Sequence, residues 1–245
     1  MQTFPIPAPL FNGSSRRVDA GSALDWLKQG WAMFVVNPGV WIAMMVILIV
    51  IYLGLQIVPM IGQLAAHLLT PLLAGGMLIG CQKVADQQRL EIADLFAGFQ
   101  RSTGALATLG VLYMLGMLVI VLLIVVFAGG GVAGGMMMQE SIGAGIAVGG
   151  MLLALLIGLL LSVPLMMAIW FAPALVVFNG MPPVDALKAS FNACLKNVVV
   201  FLVYGLIVMV LAFFAALPVG LGFLVLGPVL AGSVYASYKD IFLAT

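Results

Sequence analysis

Charge is the scarcest commodity in this chain. Only 7% of its residues are Asp, Glu, Lys or Arg, against about 25% in an ordinary soluble domain. Nine basic residues spread over 245 positions form no dense patch, which excludes a phosphate-binding surface for nucleic acid. Histidine occurs once and cysteine twice, so neither a metal-ligand cluster nor a disulfide framework is expected. Cys81 and Cys194 lie far apart in sequence at the expected polar ends of helices, where reduced thiols are the expectation. Residues 1–15, rich in Pro, Gly and Ser, lack the apolar core and small-residue cleavage site of a signal peptide. They read as part of a disordered cytoplasmic tail over 1–17.

What is abundant is apolar surface. Hydrophobic residues make up 64% of the chain and the mean hydropathy is +1.28, more than a soluble fold of this size can hide from water. A bilayer supplies an apolar solvent for it, and about twenty apolar residues in a helix span its hydrocarbon core. Six such segments are expected, from Val40 to Val58, Gly62 to Cys81, Gly104 to Ala128, Ile146 to Phe178, Val198 to Leu217 and Leu221 to Tyr238. The fold class is therefore an all-α polytopic transmembrane bundle, with 18–245 as a single domain. The fourth segment, with Pro164 and Pro173, is too long for one straight crossing and must tilt, kink or protrude. Between the third and fourth, Gly129 to Gly145 reads as a glycine-rich loop.

Every Lys and Arg falls on one side of this arrangement. Arg16, Arg17 and Lys28 precede the first span, Lys83, Arg89 and Arg101 separate the second from the third, Lys188 and Lys196 separate the fourth from the fifth, and Lys239 follows the sixth. The opposite connections hold none, so the positive-inside rule places both termini in the cytoplasm.

An internal repeat accompanies that asymmetry. Pro71–Gly80 and Pro228–Ser237 align, and Gly76 and Gly80 match Ser233 and Ser237 as small residues one turn apart. That spacing lets helices approach closely in lipid. Each hairpin is preceded by a short amphipathic stretch: Leu24, Leu27, Trp31 and Phe34; Ile92, Leu95, Phe96 and Phe99; Val184, Leu187, Phe191, Cys194 and Leu195. The chain thus divides into three parallel units, about 18–83, 90–178 and 183–242, each an interfacial helix followed by two spans. Trp26, Trp31, Lys28, Lys188 and Lys196 are the expected interfacial residues. Membrane lipid, or a protein at the cytoplasmic face, is the expected partner of these helices; the plainer reading makes them connectors.

No Asp, Glu, Lys or Arg falls inside the six spans, which weighs against an ion-coupled carrier or a proton relay. His67, with Gln63 and Thr70 one turn away and Gln56 across the hairpin, is the candidate intramembrane polar site. A ligand contact and an ordinary interhelical hydrogen bond are both open to it. Met136, Met137 and Met138 suggest soft-metal binding only weakly, since adjacent residues cannot face one ion. There is no HExxH, no Ser/His/Asp order and no paired carboxylate; no catalytic residue, enzymatic activity, cofactor or metal is expected. An accessory or scaffold protein is the leading expectation, and a carrier or channel for an apolar or amphipathic substrate the alternative.

Leu95-Phe-Ala-Gly-Phe99, Trp170-Phe-Ala-Pro-Ala-Leu175, Phe201-Leu-Val-Tyr-Gly205 and Tyr238-Lys-Asp-Ile-Phe242 resemble an uncharacterised family of proteobacterial integral membrane proteins. More distantly, the arrangement is similar to the membrane domain attached to some glycerophosphodiester phosphodiesterases, whose catalytic domain has no counterpart here. The resemblance implies a bacterial inner membrane and carries no functional residues with it.

Overall fold

The computed structural model describes residues 11, 13–58, 61–138 and 140–243. Of the expected tail, residues 1–10 and 12 lie outside the described residues, as do Pro59 and Met60 of the first hairpin turn. The described chain is helical: α1 (Ser22–Val36), α2 (Pro38–Gln56), α3 (Ile61–Ala85), a 3-10 turn (Ile92–Phe96), α4 (Gly98–Arg101), α5 (Thr103–Met136), α6 (Glu140–Trp170), α7 (Ala172–Asn179), α8 (Pro183–Lys196), α9 (Val198–Ala216) and α10 (Phe223–Tyr238), closed by a π-helical turn (Lys239–Leu243).

Five segments are long and apolar enough to cross a membrane: Pro38–Gln56, Ile61–Ala85, Thr103–Met136, Ile142–Asn179 and Val198–Ala216. The sixth expected span appears as α10, whose 16 residues measure about 24 Å, short of a hydrocarbon core of about 30 Å. The π-helical turn prolongs the same rod.

α3 and α10 are the central helices. More than half of the apolar window of α3 is buried, against 6–17% in the other four spans, and α10 buries nine residues, including Ser233, Tyr235 and Tyr238. The apolar faces of α2, α5, α6 and α9 point outward, as expected where lipid rather than water is the surrounding medium. In that medium burial of apolar area no longer drives association, and close packing and hydrogen bonds hold the helices together.

The stretch expected as a glycine-rich loop is helical on both sides. α5 runs to Met136 and α6 begins at Glu140, leaving a connection of only three residues. Its glycines serve helix contact: a Cβ on Gly131 would stand 2.7 Å from the Gly150 Cα, and one on Gly135 or Gly143 would meet the other's carbonyl oxygen. Glycine is a poor helix former in water, but here it lets two apolar helices touch backbone to backbone. The long fourth segment resolves into α6 and a separate α7. Phe171 interrupts the helix, and Pro173, lacking an amide hydrogen, sits within the first turn of α7 where none is needed.

Candidate functional site

The candidate site is the polar end of the bundle, where the short helices meet the ends of the spans. There the same local arrangement occurs three times. α1 packs on α10 through Gly30, where a Cβ would fall on the Val229 carbonyl oxygen and 2.8 Å from the Ser233 amide nitrogen. α4 packs on α3 through Gly98, where a Cβ would fall on the Leu72 carbonyl oxygen and 3.3 Å from the Gly76 amide nitrogen. α8 packs on α6 and α7 through Ser190, whose hydroxyl donates to the Met167 carbonyl at 2.7 Å and accepts from the Phe171 amide at 2.9 Å. In each case one small residue faces the carbonyl of residue i and the amide of residue i+4 on a long helix. Where the helix is continuous the small residue is glycine. Where it breaks at Phe171, serine supplies the missing hydrogen bonds, sparing two buried backbone groups an unmet pairing.

Of the small residues singled out in the repeat, Gly76 and Ser233 lie on these seats. Gly76 backs onto the Leu95 carbonyl of the 3-10 turn, and Gly80 faces the Leu90 and Trp41 side chains. Ser233, fully buried, shares a 2.6 Å hydrogen bond with Tyr204 and donates to the Leu230 carbonyl. Ser237 donates to the Val234 carbonyl at 2.9 Å. The close partners of Gly76 and Ser233 include short helices, a relation invisible from the spacing of small residues within a span.

A strap runs across this end. Phe11 packs edge-on against Phe242. Lys196 donates to the Ser15 carbonyl at 3.1 Å, and Asn197 brackets the strap, donating to the Arg16 carbonyl and accepting from the Val18 amide. Arg16 pairs with Asp240, whose other oxygen accepts the Trp26 indole N–H at 2.9 Å. Asp240 and Asn197 thereby tie the beginning of the described chain to its last helices. Neither was singled out in the sequence; each is an ordinary polar residue next to a span, and only its distant partner distinguishes it.

Of the expected interfacial residues, Trp31 is half exposed on α1, and Lys28 and Lys188 pair on their own helices with Asp25 and Asp185. Trp26 is instead a core residue, 1% exposed and packed at a tilt against Phe201 and Tyr204. Its Asp240 acceptor is what lets its polar atom be buried.

Gln56 ends α2, and Gln63, His67 and Thr70 lie on α3. Gln56, Gln63 and Thr70 are exposed on the outer faces of α2 and α3, and His67 is half buried with its ring 5.7 Å from that of Tyr113. The Thr70 hydroxyl bonds Tyr52 at 2.8 Å and the Ala66 carbonyl at 2.7 Å. Among the described residues no group of three His, Cys, Asp or Glu could hold a metal ion. Both cysteines are buried and free. At Cys194, on α8, burial pushes the thiol up to about 12, against a small opposing effect of its hydrogen bond with Ser190, so it carries almost no thiolate at neutral pH.

A polar end closed by short helices, above long helices whose outer faces are apolar, defines a multi-pass α-helical membrane protein. Over 226 residues, 89% of this chain and 82% of the relative, the sequence is 32% identical to a protein of Burkholderia thailandensis described as a probable inner membrane protein. The chain belongs to that protein's family. No family model matches the chain, and nothing in the comparisons supports the expected likeness to the phosphodiesterase-attached membrane domain. No solved structure matches it either.

Proposed function

We propose that the protein is a non-enzymatic accessory or scaffold protein of the inner membrane. It consists of three parallel units of one short helix and two crossings, with six spans and both termini in the cytoplasm. The observation that carries this reading is the threefold recurrence of the seat. The short helix of the second unit sits on the last span of the first, that of the third on the second, and that of the first on the third. Such a cyclic exchange makes a closed ring, which suits a rigid platform better than a rocking carrier. The six-span count draws support from the rod formed by α10 and its π-helical extension. The orientation draws support from the one-sided distribution of basic residues.

The short helices keep apolar residues at the surface after packing, notably Trp31, Val35 and Val36 on α1, and Val184 and Leu195 on α8. Beside Lys28, Lys188 and Lys196 these are suited to anionic headgroups or to a partner lying on the membrane. Purification from native membranes in mild detergent, with mass spectrometry of what co-elutes, tests the proposal. A defined lipid or protein should be retained, and should be lost from a Trp31→Ala/Lys28→Ala variant. A clean, lipid-free monomer would count decisively against it.

A further inference from the structure

α1 and α10 meet closely where a Cβ on Gly232 would stand 2.8 Å from the Gly30 Cα. Towards the start of α1 and the end of α10 they leave a cleft of about 490 Å³ between them. Ser22, Asp25 and Gln29 line it from α1, and Ala236, Lys239 and Asp240 from α10 and its π-helical turn. Its floor is the hydrogen bond from the buried Trp26 indole N–H to Asp240 at 2.9 Å. The other Asp240 oxygen is taken by Arg16. The two walls carry opposite charges, Asp25 on α1 and Lys239 on the turn, which do not pair with each other. Asp25 holds Lys28 at 3.1 Å in an ion pair exposed on both sides, a contact of little strength. Lys239 has no carboxylate partner among the described residues, and its ammonium lies 5.8 Å from the centre of the Tyr235 ring.

The seat of α4 on α3 shows which of these residues the fold itself requires. Gly98 is set against Leu72 and Gly76 as Gly30 is against Val229 and Ser233, and in that register Trp26 corresponds to Asp94 and Asp240 to Lys83. Those two also bond across their seat, at 2.6 Å, so the inner pair belongs to the common architecture. The rest of the cleft does not. Ala236 stands where the other seat has Ile79, and Ser22 where it has Leu90, both of them buried there. Two large side chains are exchanged for small ones, which opens space. Asp25 replaces Ala93 and Lys239 replaces Gln82, which adds one charge to each wall. A merely solvated helix face needs neither the space nor two opposed charges beside it.

We propose that this cleft binds an aminoalkyl phosphate, its ammonium donating to the Asp25 carboxylate and the Gln29 side-chain carbonyl, its phosphate accepting from the Lys239 ammonium and the Ser22 hydroxyl. One zwitterion answers both walls at once, and a charge-assisted hydrogen bond at each end fixes its direction. The volume lies in the range of small-ligand sites. At the polar end of a membrane protein this group has two sources, the phosphoethanolamine headgroup of a lipid and the same phosphodiester free in solution. The cleft lies between α1 and α10, away from the exposed apolar residues of the short helices, so it stands independently of the scaffold reading.

The test uses the full-length protein with isotope-labelled tryptophan, in nanodiscs of phosphatidylcholine and phosphatidylglycerol. Binding is read by NMR from the indole N–H signal of Trp26, identified by its loss in Trp26→Phe. In one arm glycerophosphoethanolamine is titrated; in the other phosphatidylethanolamine replaces phosphatidylcholine. A saturable shift of the Trp26 signal is expected, in the first arm for a soluble ligand and in the second for a lipid headgroup. Glycerophosphocholine, whose nitrogen carries no hydrogen, should bind at least about tenfold more weakly, the scale of a charge-assisted hydrogen bond. Asp25→Ala and Lys239→Gln install the residues that the other seat carries, and each should weaken binding by about the same factor. An unmoved Trp26 signal in the unliganded variants reports that the seat persists. No shift in either arm at millimolar concentration, equal binding of the choline compound, or an unchanged affinity in either variant would overturn the proposal.

Discussion

At Gly30, a methyl group in place of the α-hydrogen would land on the backbone of α10, which cannot rotate out of the way as a side chain can. Gly149, on α6, has nothing within 4 Å of the same position. Both are glycines inside helices, where intrinsic propensity favours alanine by up to about 1 kcal/mol. At Gly30 overpacking, about 1–3 kcal/mol or more, outweighs that gain. Gly30→Ala should therefore lower the thermal midpoint in detergent, while Gly149→Ala leaves it unchanged or raises it. Equal shifts in both would show that α1 does not seat against α10. The difference depends on which residue of a distant helix lies opposite, and nothing local to either glycine encodes it. Small residues one turn apart, as at Gly76 and Gly80, signal close packing in the sequence; the partner they pack against is a tertiary fact.

Among the elements, the long apolar helices were the easiest to read, because twenty uncharged residues have few other uses. Their boundaries shifted wherever a local signal was ambiguous. The glycines between Gly129 and Gly145 suit a loop in water and a helix contact in lipid, and the structure uses them as the latter. Around Phe171 the prolines announced an irregularity, but its position follows from Ser190 on α8, nineteen residues away. The 3-10 turn shows how little sequence a short element needs when polar groups fix it. Asp94, 8% exposed in its side chain, accepts from Lys83 at 2.6 Å and from the Glu91 amide at 2.9 Å, binding the turn to the end of α3. Asp94→Ala removes the cap and leaves a partly buried ammonium unpaired, a loss of about 2–3 kcal/mol. Asp94→Asn, which keeps an oxygen for the cap, should lose less. Thermal midpoints of the two variants, with limited proteolysis across residues 86–97, check the order; equal loss in both would assign the whole effect to the charge pair.

For the whole molecule, the decisive question is whether α10 crosses the membrane. Taken alone it is too short, yet neighbouring helices enclose most of it, so its polar backbone is shielded by protein rather than lipid at nearly every level. The π-helical turn adds the Tyr238–Phe242 stretch, whose Phe242 meets Phe11 of the strap. Since Arg16 of the same strap pairs with Asp240, the two ends of the described chain lie on one side of the bundle. The proposed even number of crossings fits that contact. Both termini should therefore report from the cytoplasm. A fluorescent reporter that matures only there should shine when fused to either end, and a periplasm-active phosphatase should stay silent at both. The connection between α5 and α6 gives the converse: Met137, 86% exposed, replaced by cysteine, should react with a membrane-impermeant maleimide in intact spheroplasts. A cysteine at Lys28 should react only after permeabilisation. The native cysteines add little background, since both are buried. Reaction of the Lys28 variant in intact spheroplasts would invert the molecule, and a split result between the two terminal fusions would remove α10 from the count of crossings.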